Sequence, residues 1–509
     1  MFRISIHPRS WRLTIASRPL TRERMTRPFW QDRRVQALIL LLSAIILRSP
    51  DFGNPIVEVD EQFYVLIGDR MVTEGAIPFV DIWDRKPIGT FLIFAFARLF
   101  GDGFLPYQLV ATLFAWGTAI GVLVAARQLG AKAATALFAG VIYLAWIEIF
   151  GGRGGQAGVF MNLFVTWGAV LTLRLPALAE AGRVRAILWN GVAACLLAGI
   201  AIQIKYTPAV EGAFFGLAHL WFLRKAAGGW PSIIAAGAIW ALAGLAPTIA
   251  VIAVYTAMGH YEAFMYANFW SIGGRGSYPQ ATVVSKFFGI VAKTSPLWVA
   301  AAFALRRFDD PRRALLIGWI VAAFIAFLSI GTFILSYALS LIAPFLIAAV
   351  PLLDRRPRAA LLVFLFAAIL WVRDSWFYYD DEAQVREVAA LMKANSGDEC
   401  PYVFEGDTIL YHLADSCLPG TYPFPSHLWL STETHAIGVD QADEVRRILA
   451  TRPPVIVITT QKKDVWAPEV LGIIRRELAA NYRPIRRVPR EDFQLVVYLR
   501  NDREPVGMR

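Results

Sequence analysis

The chain reads as an α-helical polytopic membrane protein of about 11 transmembrane helices, with an outward first loop carrying amphipathic helices and a small α/β domain at its C-terminal end. Three observations predict this. First, 57% of the 509 residues are hydrophobic and 17% are charged, a balance that water-soluble chains of this size rarely reach. Second, apolar runs of about 20 residues recur between residues 35 and 376. Third, beyond residue 377 the pattern turns to short strands and amphipathic helices.

The elements follow in order. Residues 1–34 are Arg-rich, with no acid before Glu23 and no cleavable apolar segment, so they read as a cytoplasmic basic tail; Met25 is an alternative start. Apolar spans are expected near 35–49, 104–126, 133–150, 159–177, 187–204, 206–223, 232–256, 284–304, 314–331, 333–352 and 359–376, giving a membrane domain over 35–376. The run 88–100 is too short to cross and reads as re-entrant or interfacial. A soluble domain is expected over 380–509, with helices at 383–395, 441–451 and 467–480 and strands at 401–407, 453–460 and 493–500.

Charge placement orients these spans. The net charge of +11 could point to nucleic acid, but the basic residues cluster between apolar runs. Arg127, Lys132, Arg174, Arg183, Arg224, Arg306, Arg312 and Arg355 fall on one side when 88–100 does not cross; the other side holds mainly Arg153, Lys205 and Arg275. The positive-inside rule then places loop 50–87 and everything after 377 outside. Of the three cysteines, Cys195 lies in an apolar run, while Cys400 and Cys417 lie in the outward domain. An oxidising compartment there permits a disulfide between them.

The first loop is the most charged stretch near the membrane. It carries Glu58, Asp60, Glu61, Asp69, Glu74, Asp81, Asp84, Arg85 and Lys86. Phe63, Tyr64, Ile67, Met71 and Val72 recur near helical spacing, which predicts an amphipathic helix on the membrane surface with Asp60 and Glu61 at its start, Asp60 as a cap. "EGAIP" turns the chain, and Pro87 suits the first turn of a helix from 88. Asp60, Asp84 and Lys86 are thereby held near the headgroup level.

An outward first loop of this form, with Asp60, Glu61, Tyr64, Gly75, Pro78, Asp81, Trp83, Asp84, Lys86 and Pro87, resembles the C-type polytopic glycosyltransferases, in particular the branch of the protein O-mannosyltransferases and the lipid A aminoarabinose transferases. The resemblance implies a bacterial inner-membrane, multi-pass hexosyl- or pentosyltransferase with its site facing the periplasm. It would move a sugar from a polyprenyl-phosphate donor to a lipid, polysaccharide or protein acceptor. Asp60 would be the general base or position the acceptor, and Lys86 would contact the donor phosphate. The chemistry suits these residue types: a carboxylate draws off the acceptor proton, and a cation offsets the charge of the leaving phosphate. Arg85 adds a bidentate phosphate partner, and Glu61, Asp84, Tyr64 and Trp83 complete the loop's catalytic and substrate-binding candidates.

Relatives often carry a second acid in the next outward loop. Here "GGRGGQAGVFMNLF" has Gly158 at that place, with Glu148 before it and Asn162 after it as alternatives. Arg153, Lys205 and Arg275 are candidate phosphate contacts, and Tyr266, in the aromatic loop 260–278, is a candidate sugar contact. Glu211, in an apolar span, is a functional candidate by default, whereas His219 reads as a packed histidine. No cofactor follows from the sequence, although the clustered carboxylates permit a divalent metal. Two rivals remain: a transporter or flippase of lipid-linked glycans, and a non-catalytic assembly protein. The partners expected are membrane lipids and the two substrates, not nucleic acid.

Overall fold

A computed structural model describes residues 31–226, 229–376, 381–461 and 465–507. The basic stretch 1–30, with Met25, lies outside the described residues. Each expected apolar segment contains a helix, beginning with α1 (Arg33–Arg48), α2 (Val59–Thr73), α3 (Ile88–Arg98), α4 (Leu105–Gln128), α5 (Ala133–Glu148) and α6 (Ala157–Thr172). Among the described residues six helices are long and apolar enough to cross a membrane: Leu105–Gln128, Ala157–Glu180, Val184–Ile202, Trp230–Ala257, Gln280–Arg306 and Leu335–Arg355. The count of 11 is therefore not reached on length and composition alone.

Sequence explains the lengths. Asp32 caps α1, its carboxylate accepting the Arg34 N–H at 2.7 Å. The helix ends at Arg48, where the chain passes into a 3-10 turn holding Pro50, and Arg48 itself is fully buried. Its guanidinium donates to Thr112 Oγ1 at 3.1 Å, to Glu148 Oε1 at 3.0 Å and to the carbonyls of Gly152 and Gly154. Along α4 the buried stripe is Ala111, Ala115, Thr118, Ala119 and Val122, small side chains that let helices approach closely in lipid. The helix Trp230–Ala257 is the opposite case: it leaves Ile234, Leu242 and Leu245 exposed, a face suited to acyl chains.

The first loop departs from expectation in two ways. α2 is covered by protein on two sides. One side packs on α3, where a Cβ at Gly68 would lie 2.8 Å from the Ala95 backbone, and the other meets the C-terminal domain, where Phe63 stacks on Phe424 at 4.9 Å. Asp60 does not cap it. Glu58 holds the cap position without a capping bond, and Asp60 sits in the first turn. Gly75 ends the helix at φ +69°, a left-handed turn that favours glycine. Asp81 then shapes the turn by accepting the Ile77 N–H at 2.7 Å.

The C-terminal domain holds a four-stranded sheet: β1 (Tyr402–Val403), β2 (Val455–Thr459), β3 (Tyr482–Pro489) and β4 (Gln494–Arg500), in the order β1-β2-β4-β3. β1 runs parallel to β2, and the remaining pairs are antiparallel. Helices Glu382–Ser396, Gln441–Ala450 and Pro468–Asn481 flank it. β3 was not expected from sequence, and β1 is shorter than the predicted 401–407. β3 carries Pro484 and Pro489 and shifts register between Pro484 and Arg486, which an edge strand tolerates. Cys400 and Cys417 are joined by a disulfide. The domain docks on the first loop: the Trp83 N–H donates to the Thr421 carbonyl at 2.9 Å, Gln62 donates to Asp407 at 3.0 Å, and His412 lies 3.3 Å from Asp69.

Candidate active site

Two cavities meet where the first loop, the segment 272–278 and the C-terminal domain converge. The smaller, about 420 Å³, is lined by Lys205, Tyr206 and Thr332 together with shared residues. The larger, about 720 Å³, lies between the first loop and the C-terminal domain and is lined by Glu58, Asp60, Tyr64, Asp84 and His427. Arg85, Lys86, Arg275, Tyr278 and Tyr337 line both.

Lys86 is the hinge of this arrangement. Pro87 holds an extended conformation ahead of α3 and disfavours a helical conformation at Lys86, the residue before it. Lys86 Nζ donates to Asp60 Oδ2 at 3.3 Å and lies 5.7 Å from the centre of the Tyr64 ring. Burial works against its charge, but Asp60 foremost, then Tyr64, Tyr337 and Asp84, hold the ammonium well above the usual lysine range. Lys205 is placed differently. It sits 4.2 Å from the centre of the Tyr337 ring and has no carboxylate within ion-pair distance among the described residues. Burial, reinforced by repulsion from Lys86, lowers it to about 7.

The acids also divide. Asp60 is about one-third exposed on the larger cavity. Asp84 is buried, and its Oδ1 accepts the Arg85 N–H at 2.7 Å; burial raises it to about 6, with Lys86 as the main opposing charge. Glu58 was not singled out in the sequence, although it stands two residues before Asp60. It lines the same cavity, and burial foremost, then the Asp60 charge, raises it to about 7. Glu61 faces the other way. Neither of its oxygens has a well-formed hydrogen bond; its nearest polar groups are the Gly155 N–H and the Tyr107 hydroxyl, and burial raises it well above the carboxylate range.

Several candidates lie outside both cavities. Arg153 is engaged by Asp51, at 2.8 Å from Nε and 2.5 Å from Nη2. Glu148 pairs with Arg48, so it is an anchor rather than an acid of the cavities. Trp83 is a docking residue, its ring 4.8 Å from the centre of His427. Tyr266 packs against Gly438, where a Cβ would lie 2.8 Å from its ring. Asn162 donates to the Leu339 carbonyl at 2.9 Å, Glu211 accepts from the Trp319 indole at 2.8 Å, and His219 bonds the Phe215 carbonyl at 2.8 Å.

The glycines of the loop between α5 and α6 have a steric cause. A Cβ at Gly151 would lie 2.7 Å from Glu58 Oε1, one at Gly154 would overlap the Glu61 carboxylate, and one at Gly155 would lie 2.9 Å from Phe94. This loop packs directly onto the acidic end of α2. Gly158 is pressed against Leu339, which leaves no space for the second acid expected there.

Arg85 and Arg275 are held by Glu433 of the C-terminal domain, a residue with no sequence signal. Arg85 grips it with both terminal nitrogens, one at 2.9 Å; Arg275 Nε lies 3.0 Å from the same carboxylate without a well-aligned N–H. Among the described residues no group of three His, Cys, Asp or Glu side chains converges to hold a metal ion.

No protein-family model and no curated protein matches the chain. Among solved structures it resembles ArnT from Cupriavidus metallidurans bound to undecaprenyl phosphate, with a TM-score of 0.60 and 16% identity over 92% of this chain and 98% of that one. It also resembles the archaeal oligosaccharyltransferase AglB from Archaeoglobus fulgidus, in complex with an inhibitory peptide and a dolichol-phosphate, with a TM-score of 0.50 and 12% identity over 84% of this chain and 69% of that one. The chain thus has the fold of the C-type polytopic membrane glycosyltransferases.

Proposed function

We propose that this chain transfers a sugar from a polyprenyl-phosphate donor to a cell-envelope acceptor, with its site on the periplasmic face of a bacterial inner membrane. The observation that carries the reading is the position of Lys86: it lines both cavities, while its partner Asp60 lines only the larger. A donor phosphate in the smaller cavity meets Lys86, Lys205 and Arg275, and an acceptor in the larger one meets Asp60 and the C-terminal domain. The two solved neighbours, held with undecaprenyl phosphate and with dolichol-phosphate, support a polyprenyl carrier.

The chemistry follows from this division. The acceptor hydroxyl attacks the anomeric carbon as the bond from that carbon to the phosphate oxygen breaks. Asp60 orients the hydroxyl and takes its proton. The leaving phosphate gains charge, which Lys86 offsets at no reorganisation cost because its ammonium is already in place. The Tyr64 ring, its centre 5.7 Å from the ammonium, adds a favourable cation–π contact.

Mass spectrometry of envelope glycolipids and polysaccharides tests this in a deletion strain carrying the wild-type chain or Asp60→Asn. The wild type restores a sugar modification that the deletion lacks. Asp60→Asn keeps the side-chain size and should reach normal membrane levels, with at least ~10²-fold lower transfer, the usual scale for losing a general base. Transfer near wild type by this variant would remove Asp60 from the reaction.

A further inference from the structure

Glu433 is an odd residue to find at the junction of the two cavities. It comes from the C-terminal domain, 348 positions away from Arg85, and is 2% exposed. It is enclosed by Arg85 and Arg275, both of which line the cavity assigned to the donor. Two arginines around one carboxylate leave a net positive charge. The contact to Arg275 is an ion pair without an aligned N–H, so it is held by charge rather than by direction.

The segment around Glu433 also touches the smaller cavity's own wall. The Gly276 N–H donates to the Thr432 carbonyl at 2.8 Å, and a Cβ at Gly276 would lie 3.2 Å from Thr432 Cα. A Cβ at Gly274 would overlap the His435 carbonyl oxygen, so a side chain there would push the domain away. Arg275, between these glycines, is therefore tied to the C-terminal domain through both backbone and side chain.

We propose that Glu433 is a positioning residue that stands in for the donor phosphate: it holds Arg85 and Arg275 while the donor is absent, and the phosphate takes them over on binding, which loosens the domain's grip at 431–437. This rests on the donor reading above. The exchange is chemically favourable because a phosphate offers more charge and more acceptor oxygens than a carboxylate, and guanidinium forks fit either. Glu433, Arg85 and Arg275 all line the larger cavity as well, so donor binding would open the acceptor side. The order of binding would then be donor first. Free enzyme populates the clasped state, and the apparent donor affinity is reduced by the fraction so held.

Two measurements on the full chain in lipid nanodiscs test this, with undecaprenyl phosphate as probe and undecaprenol as the uncharged control. In the wild type, undecaprenyl phosphate should increase backbone hydrogen exchange at 431–437, and undecaprenol should not. Glu433→Gln, which keeps the shape and removes the competing charge, should bind undecaprenyl phosphate about five-fold or more tightly, the low end of ordinary coupling between sites. Binding by the wild type with unchanged or greater protection at 431–437 overturns the proposal. So does equal or weaker binding by a folded Glu433→Gln, the result expected if Glu433 only supports the arginines. Failure of the wild type to bind undecaprenyl phosphate overturns the donor reading itself, and this inference with it.

Discussion

Lys86 and Glu58 carry the residue-scale consequences. Lys86→Ala should weaken undecaprenyl phosphate binding measured in nanodiscs by about tenfold or more, the scale of one charge-assisted hydrogen bond of ~1.5–3 kcal/mol. The acceptor side should change less, because a hydroxyl acceptor has no charge to match the ammonium. Glu58 makes a pH-dependent prediction. Burial, the Asp60 charge and the more distant Asp51 raise its pKa from 4.5 to about 7, against the opposing pull of Arg153. The native state then holds a proton that the unfolded chain has already released above pH 4.5, so stability falls as pH rises from about 4.5 to about 7. Glu58→Gln should remove this loss. Its thermal midpoint in detergent should exceed the wild type's by more at pH 8 than at pH 5; an equal difference at both would show that Glu58 is not held protonated. That Asp60 and Lys86 come together was legible, because both belong to one compact charged motif, and the structure pairs them at 3.3 Å on the larger cavity. Glu433 was not, since a single glutamate in a polar domain looks like any solvated charge until the fold brings Arg85 and Arg275 to it.

At the scale of elements, helices were easier to read than their surroundings. The apolar runs and the short segment 88–100 were visible as lengths, and α3 is 11 residues long. The helical spacing in α2 was also visible, but not that both its sides would be covered. A moment marks an apolar side without saying whether lipid or another domain meets it. β3 escaped because Pro484, Pro489 and its arginines disguise an edge strand. The glycine-rich loop gave an ambiguous signal, since glycine reads equally as flexibility or as close approach. Close approach is the one found, and it can be tested at Gly158. Gly158→Asp places a Cβ 2.8 Å from Leu339 Cδ1 and 2.9 Å from Leu339 Cβ. Overpacking of this kind costs about 1–3 kcal/mol, with a further penalty for burying the carboxylate. The variant should show a lower thermal midpoint and no gain in transfer. A gain would mean that the position accepts the second acid that the resemblance led one to expect there.

At the scale of the molecule, sidedness decides the biology. The disulfide of Cys400 and Cys417 closes a 17-residue separation, worth roughly 3 kcal/mol on the chain-entropy model. With Cys195→Ala as background, both thiols should resist alkylation in denatured protein from intact cells until a reductant is added. Full labelling without reductant would show a domain on the reducing side of the membrane. Arg48 carries a different consequence, one of timing. Its partner Glu148 lies 100 positions further along the chain, and the Gly152 and Gly154 carbonyls further still. At about 5–20 residues per second of synthesis, α1 waits roughly 5–20 s before Glu148 is made. During that interval a guanidinium at the end of a 16-residue helix has no place in hydrocarbon and must stay at the headgroups. The first helix is thus parked rather than finished when it enters the bilayer, and its final seat is assigned only when the fifth arrives. The insertion of α1 is provisional, and Glu148, the residue that closes it, was, from the sequence, a candidate for catalysis.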